Sequence, residues 1–178
     1  MAIVPKLIIL AGLPGTGKTT LARRLSKEFS LVFLRLDCIE APFMVNNPQA
    51  VEKGEGYQAV VNLAIENLKV GNSVIIDSVN PLHLTRRMFI LISKEIKVKL
   101  FQFELRVRNI LLHKKRVEKR QSDILNLKIP EWKDVLSREY DEWDESKDGH
   151  VNVIWMDNGE EAFCRCINII NQVLAIED

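Results

Sequence analysis

Gly12 to Thr19 reads GLPGTGKT, a run that sets three glycines, a lysine and a threonine hydroxyl within eight positions. These residue types at this spacing suit one task, the holding of a chain of phosphates. Glycines let the backbone turn so that successive N–H groups point inward, and a helix starting there adds the positive end of its dipole. Lys18 can then reach the outer phosphates as a point charge, and the Thr19 hydroxyl is placed to ligate Mg2+. The expected nucleotide-binding stretch is Gly12, Leu13, Pro14, Gly15, Thr16, Gly17, Lys18, Thr19 and Thr20. The pattern GxxxxGK[ST] carries this meaning when a strand precedes it and a helix follows, and both are expected here.

Two aspartates at the ends of apolar runs come next. Asp77 closes SVIID and stands where a second metal ligand is needed; the rival reading is a cap, shared with Ser78 and Asn80, for the helix that Pro81 opens. Asp37 closes VFLRLD, facing the phosphoryl acceptor, where a carboxylate can take the proton of a substrate hydroxyl. Its rival reading is a turn aspartate. The basic stretch RVRNILLHKKRVEKRQ sets His113, Arg116 and Arg120 on one helix face. Arg116 and Arg120 suit a closing lid whose guanidinium groups neutralise the transferred phosphoryl group, whereas Lys114, Lys115 and Lys119 read as solvated surface. His113 reads as a partly buried helix histidine, and no serine or cysteine nucleophile accompanies His83 or His150. Trp132, Tyr140 and Trp143 read as the packing face of a second lid helix.

The elements that must position these residues are legible from apolar runs. Strands are expected at Lys6–Ala11, Leu31–Leu36, Ser73–Ile76, Lys97–Leu105 and Val151–Met156. Helices are expected at Thr19–Phe29, Tyr57–Val70, Pro81–Lys94, Arg106–Gln121, Trp132–Trp143 and Glu160–Ile176. Residues 38 to 56, with Pro42, Pro48, Gly54 and Gly56, read as a long irregular connection that builds the acceptor pocket. Strands apolar on both faces, alternating with helices, imply an α/β fold with a covered parallel sheet, whose ligand side is the carboxyl ends of the strands.

With 178 residues, 47% of them hydrophobic and 28% charged, the chain supports one globular domain over 1–178 and neither a disordered nor a fibrous protein. A lid is expected at about 116–145. The formal net charge of +1 gives no global field for nucleic acid or membrane, so partners must be read from sites. No apolar run approaches the ~18 residues of a membrane span. Cys38, Cys164 and Cys166 form neither a CxxC redox pair nor a zinc knuckle, which fits reduced thiols and a cytoplasmic location. A monomer or homodimer is expected.

With GLPGTGKT, GNSVIIDSVNPLHLTR, HKKRVEKR and PEWKDVLSREYDEW together, the sequence resembles the small P-loop kinase-like proteins grouped as AAA-family ATPases and kinases. Their relatives include gluconate kinase, chloramphenicol phosphotransferase, adenylylsulfate kinase and the kinase half of polynucleotide kinase. The resemblance covers nearly the whole chain. It implies a P-loop NTPase three-layer α/β/α sandwich, with a parallel five-stranded sheet and a helical lid, using ATP and Mg2+. Carried over by position, it puts acceptor-side chemistry on Asp37, sets Asp77, Asn80 and Arg86 at the rim of the site, and places Arg116 and Arg120 in the lid. Adenine would lie near Arg116 and the loop of Asn158 and Gly159. Two departures matter. Glu40 stands where relatives acting on nucleic-acid ends carry arginine, and the lid reads LNLKIP in place of a proline-glycine turn. Nothing supplies the hexamer-forming lid domain that the AAA label suggests.

The function expected is an ATP- and Mg2+-dependent phosphotransferase acting on a hydroxyl of a small molecule. The alternatives are a nucleotide-binding module without transfer activity, or a kinase or ATPase acting on nucleic acid or another macromolecule. A GTPase switch is disfavoured, because no NKxD guanine-reading tetrapeptide occurs and no aspartate is followed three places later by glycine.

Overall fold

The computed structural model describes residues 4–125 and 127–174. Five strands form one parallel sheet: β1 (Lys6–Ala11), β2 (Val32–Arg35), β3 (Val74–Asp77), β4 (Lys99–Arg106) and β5 (Asn152–Trp155), in the order β2-β3-β1-β4-β5. β1 shows why the sheet is covered on both sides. Its alternate residues enter two separate cores, as a strand's period of two requires. Ile8 and Leu10 pack with Leu21 and Leu25 of α1 (Lys18–Glu28) and with Cys166 and Ile170 of the last helix. Leu7 and Ile9 pack on the other side with residues of the two helices that flank β3 in sequence, among them Val60, Ala64 and Phe89.

From β1 the chain runs out to the edge at β2, returns to β3, and then crosses to the far side of β1 for β4. That reversal opens a crevice at the carboxyl ends of the strands. The register Leu10↔Asp77 and Arg35↔Asp77 brings the first three strands to this one end together.

Residues 38 to 56 differ from the expected irregular connection. They fold into α2 (Leu36–Asn46), α3 (Pro48–Glu52) and the start of α4 (Glu55–Lys69). Pro42 lies inside α2 without ending it, and Pro48 occupies the first position of α3, where its missing N–H costs nothing. Asp37 therefore sits in the first turn of a helix, with Glu40 one turn later.

α5 (His83–Ile96) and α6 (Ile110–Lys119) follow, the latter starting later than expected because β4 runs through Arg106 and the Asn109 side chain caps the helix by accepting the Leu112 N–H. The helix expected over Trp132–Trp143 also stops early. α7 covers only Trp132–Leu136, and α8 (Glu145–Asp148) is a separate turn. The Arg86 guanidinium donates to the carbonyls of Asp141 at 2.7 Å and Glu142 at 3.3 Å and so holds the non-helical stretch between α7 and α8 in place. Trp143 stacks on that same guanidinium, 4.1 Å from its ring centroid. α9 (Gly159–Leu174) closes the described fold, and the expected helix end at 175 and 176 lies outside the described residues. Among the described residues, no helix is long and apolar enough to cross a membrane.

Candidate functional site

The phosphate-holding loop is set by close packing. Gly12 takes φ +130°, and a Cβ there would lie 2.4 Å from the Leu105 carbonyl oxygen of β4. Gly15, at φ +84°, would drive a Cβ to 2.5 Å from the Val117 side chain of α6. Only glycine meets both demands, the positive φ and the missing side chain. The Gly12 N–H donates to the Val79 carbonyl, and the Thr16 hydroxyl donates to that of Leu13. His113 of α6 fastens the loop from outside: its Nε2 lies 2.8 Å from the Pro14 carbonyl oxygen, which can only accept, so Nε2 carries the proton.

Lys18 is buried and donates to the Leu13 carbonyl at 3.0 Å, folded back against its own loop. Burial pulls its ammonium down to about 8, against the opposing attraction of Asp77 and Asp37. Burial likewise pushes Asp77 above the usual carboxylate range, countered by Lys18 and the Thr19 hydroxyl. Asp77 Oδ2 is buried without a hydrogen-bond partner among the described residues. Thr19 and Asp77 thus present two neighbouring oxygens, one with unfilled acceptor capacity. That set fits Mg2+, which keeps most of its shell as water and phosphate. Among the described residues no group of three or more His, Cys, Asp or Glu forms a metal cage.

Asp37 lies across the crevice. Its Oδ2 accepts from Arg35 at 3.2 Å and from Arg120 at 3.3 Å, which ties the end of α6 to the acceptor side. Arg35, nearly fully buried, is the hub: it also reaches Asp123 at 2.8 Å and approaches Asp77 at 3.8 Å. Asp123 bonds Arg23 as well, and the two arginines hold its carboxyl well below the usual range. Glu40 faces the same crevice, nested against Gly56, where a Cβ would lie 2.4 Å from its Cγ. Burial first, then the Asp37 carboxylate, push Glu40 up to about 7, with Arg138 opposing. A polar cavity of about 310 Å3 joins Lys18, Thr19, Asp37, Glu40, Asp77 and Arg120. A larger one of about 600 Å3 runs over Gly15, Lys18, Arg116, Met156 and Gly159, along the stretch where the resemblance places adenine. Arg116 donates to the Met156 carbonyl at 2.9 Å across it.

The crevice therefore gathers Pro14, Gly15, Gly17 to Thr20, Asp37, Asp77, Arg116 and Arg120, while Gly12, Leu13 and Thr16 face a cavity behind the loop and two residues expected at the rim lie elsewhere. Arg86 is completely buried, held by Asp148 at 2.9 Å and by four backbone carbonyls. It is an internal pin for the 141–148 segment. Asn80 is completely buried too, its N–H donated to the Tyr57 hydroxyl at 2.9 Å, and its side chain lines neither cavity. Arg35, Asp123 and Glu40 are site residues the sequence reading did not single out for a role. A charge inside the apolar run VFLRL, two places before Asp37, was a usable signal for Arg35; Asp123, 88 positions from the arginine it binds, left none.

A family model described as an AAA domain matches residues 7–137, well over half of the chain, and the chain belongs to that family. No curated protein matches it. Among solved structures, a sugar kinase from Janibacter sp. HTCC2649 superposes with a TM-score of 0.68 at 16% identity, covering 95% of each chain. Kti12 from Chaetomium thermophilum, in complex with ADP-AlF3, gives 0.68 at 19% identity over 93% of this chain and 97% of that one. A gluconokinase from Sinorhizobium meliloti 1021 gives 0.64 at 12% identity over 98% and 99%. At these identities the likeness is one of fold, and the fold is that of small P-loop kinase-like proteins.

Proposed function

We propose that the protein is an ATP- and Mg2+-dependent phosphotransferase that moves the γ-phosphoryl group to a hydroxyl of a small molecule. The observation that carries this reading is the polar cavity of about 310 Å3 in which Lys18, Thr19, Asp77, Asp37 and Arg120 meet, contiguous with a closed phosphate loop. A switch or a simple hydrolase needs no second walled cavity facing the transferred phosphate; a kinase does. Neighbours of the same fold are named as a sugar kinase and a gluconokinase, which supports a small hydroxyl-bearing acceptor.

Loop amides and Lys18 bind the phosphates, Lys18 exchanging the Leu13 carbonyl for phosphate oxygen. Thr19 and Asp77 hold Mg2+, which when bound neutralises charge on the outer phosphates. Arg120 stands next to the point of transfer and offsets charge developing on the phosphoryl oxygens. Asp37 orients the acceptor hydroxyl and receives its proton, its carboxylate aimed by Arg35 and Arg120. Glu40, one turn along α2, accepts from a second hydroxyl or amine of the acceptor. Arg116 closes over the base.

The double arginine clamp on Asp37 favours a second reading, a nucleotide-binding module without transfer, because its Oδ2 is already engaged by two guanidinium groups and must be released to meet a substrate hydroxyl. ADP release from ATP with Mg2+, alone and against pooled sugars, polyols, nucleosides and amino alcohols, separates the two. Stimulation by one pool supports the kinase; tight ATP binding with no stimulation by any pool leaves the binding module.

A further inference from the structure

We propose that the cavity on the far side of the phosphate loop is a second ligand site, built for a flat heterocycle with two adjacent N–H donors and an anionic tail, the chemistry of a guanine nucleotide. This cavity measures about 670 Å3, within the roughly 300–1,000 Å3 usual for small-molecule sites. It shares no lining residue with the larger cavity of the proposed transfer reaction and only Arg138 with the smaller one. Gly12, Leu13 and Thr16 back it from the phosphate loop, and its other walls come from the end of β4, the start of α6, α7 and Trp155 of β5.

Its chemistry is set by a buried carboxylate among flat side chains. Glu104 is 3% exposed and lines the cavity near the end of β4. Arg106 Nη2 comes within 2.8 Å of Glu104 Oε2, yet without hydrogen-bond alignment, so this buried oxygen keeps unfilled acceptor capacity. A ligand N–H aligned with this oxygen would fill that capacity. The flat faces are Trp132, Tyr140, and Trp155 with the Arg108 guanidinium stacked 4.4 Å from its centroid. Aromatic rings and arginine planes are the surfaces on which heterocyclic bases stack. Arg106 is paired with Glu104 and Glu142 also lines the cavity, so Arg108 and Arg138 supply the positive charge suited to a phosphate tail.

The donor edge discriminates among heterocycles. A carboxylate accepts and cannot donate, so it pairs with an edge carrying two neighbouring N–H groups. Guanine has such an edge; adenine and uracil alternate donor and acceptor there.

Tryptophan fluorescence tests the proposal directly, since Trp132 and Trp155 stand in the walls while Trp143 is stacked on Arg86. The full chain is saturated with Mg2+ and AMP-PNP, so that the donor cavity is filled, and titrated with GMP and with AMP. Saturable quenching by GMP is expected, with an affinity at least about tenfold above that of AMP. Glu104→Gln should erase the preference, bringing GMP to within about threefold of AMP. Arg108→Ala, at an exposed position that leaves the fold intact, should weaken both by about threefold or more. Three results would overturn the site: no saturable quenching by millimolar GMP, quenching that both variants leave unchanged, or quenching seen only when AMP-PNP is omitted, which would put GMP in the donor cavity.

Discussion

The two sides of the crevice are built by different means. The donor side is backbone: eight consecutive residues, glycines that tolerate no Cβ against Leu105 and Val117, and one lysine already folded onto the loop. The acceptor side is side chains from afar, with Arg35 drawn from β2, Asp37 from α2, Asp77 from β3, and Arg120 and Asp123 from the stretch that follows α6. A backbone cradle offers its N–H groups whatever the side chains, whereas an ion-pair lattice depends on each of its members. The difference implies that donor binding and acceptor chemistry can be broken separately.

The broadest effect should come from the donor side, where nucleotide binding and turnover are lost together. Lys18→Ala is expected to lower ATP affinity by about 100-fold or more, read by calorimetry, since a buried charge and its phosphate partner are parted. On the acceptor side, Asp37→Asn should cut transfer by roughly 10²–10⁴ while ATP affinity stays within about threefold. If ATP affinity fell in step with transfer, the two sides would not be separable. Arg120→Ala should cost about 100-fold in transfer with a small loss of ATP binding. An unchanged rate would make that arginine a surface group.

The smallest effect sharpens the acceptor side further. Glu40 titrates at about 7 in the fold, against 4.5 for an ordinary glutamate. The folded state thus holds this proton more tightly than the unfolded chain. Its penalty is fully present above pH 7, shrinks as pH falls through 7, and is gone below about 4.5. Glu40→Gln should therefore stabilise the protein by about 1–2 kcal/mol at pH 8 and leave it unchanged near pH 4.5, by thermal melting at both pH values. Equal effects at both would show that Glu40 is not held in this strained, desolvated state.

Legibility in the sequence followed the same divide. The phosphate loop is contiguous, so its residue types and spacing announce it, and the parallel sheet announces itself through runs such as Leu7 to Ala11 that are apolar on both faces. The acceptor side was legible only where a strand end marked it, at Asp37 and Asp77. Pro42 and Pro48 pointed to a loop over 38–56 because local propensity favours a break, yet packing of Leu36 and Ala41 carries α2 through. Arg86 was expected at the rim because the family resemblance places a site residue at its position. Its helix turns it inward, where Asp148, Trp143 and the backbone of 141 and 142 complete its surroundings from about 60 positions away.

The most direct test of the proposed phosphoryl transfer follows γ-³²P-labelled ATP with Mg2+ and the acceptor pools, tracing label in wild type and Asp37→Asn. The account predicts label on one class of hydroxyl-bearing small molecule in wild type and almost none in the variant, with ATP still bound by both. Label appearing only as inorganic phosphate in every pool, or transfer undiminished in Asp37→Asn, would contradict it.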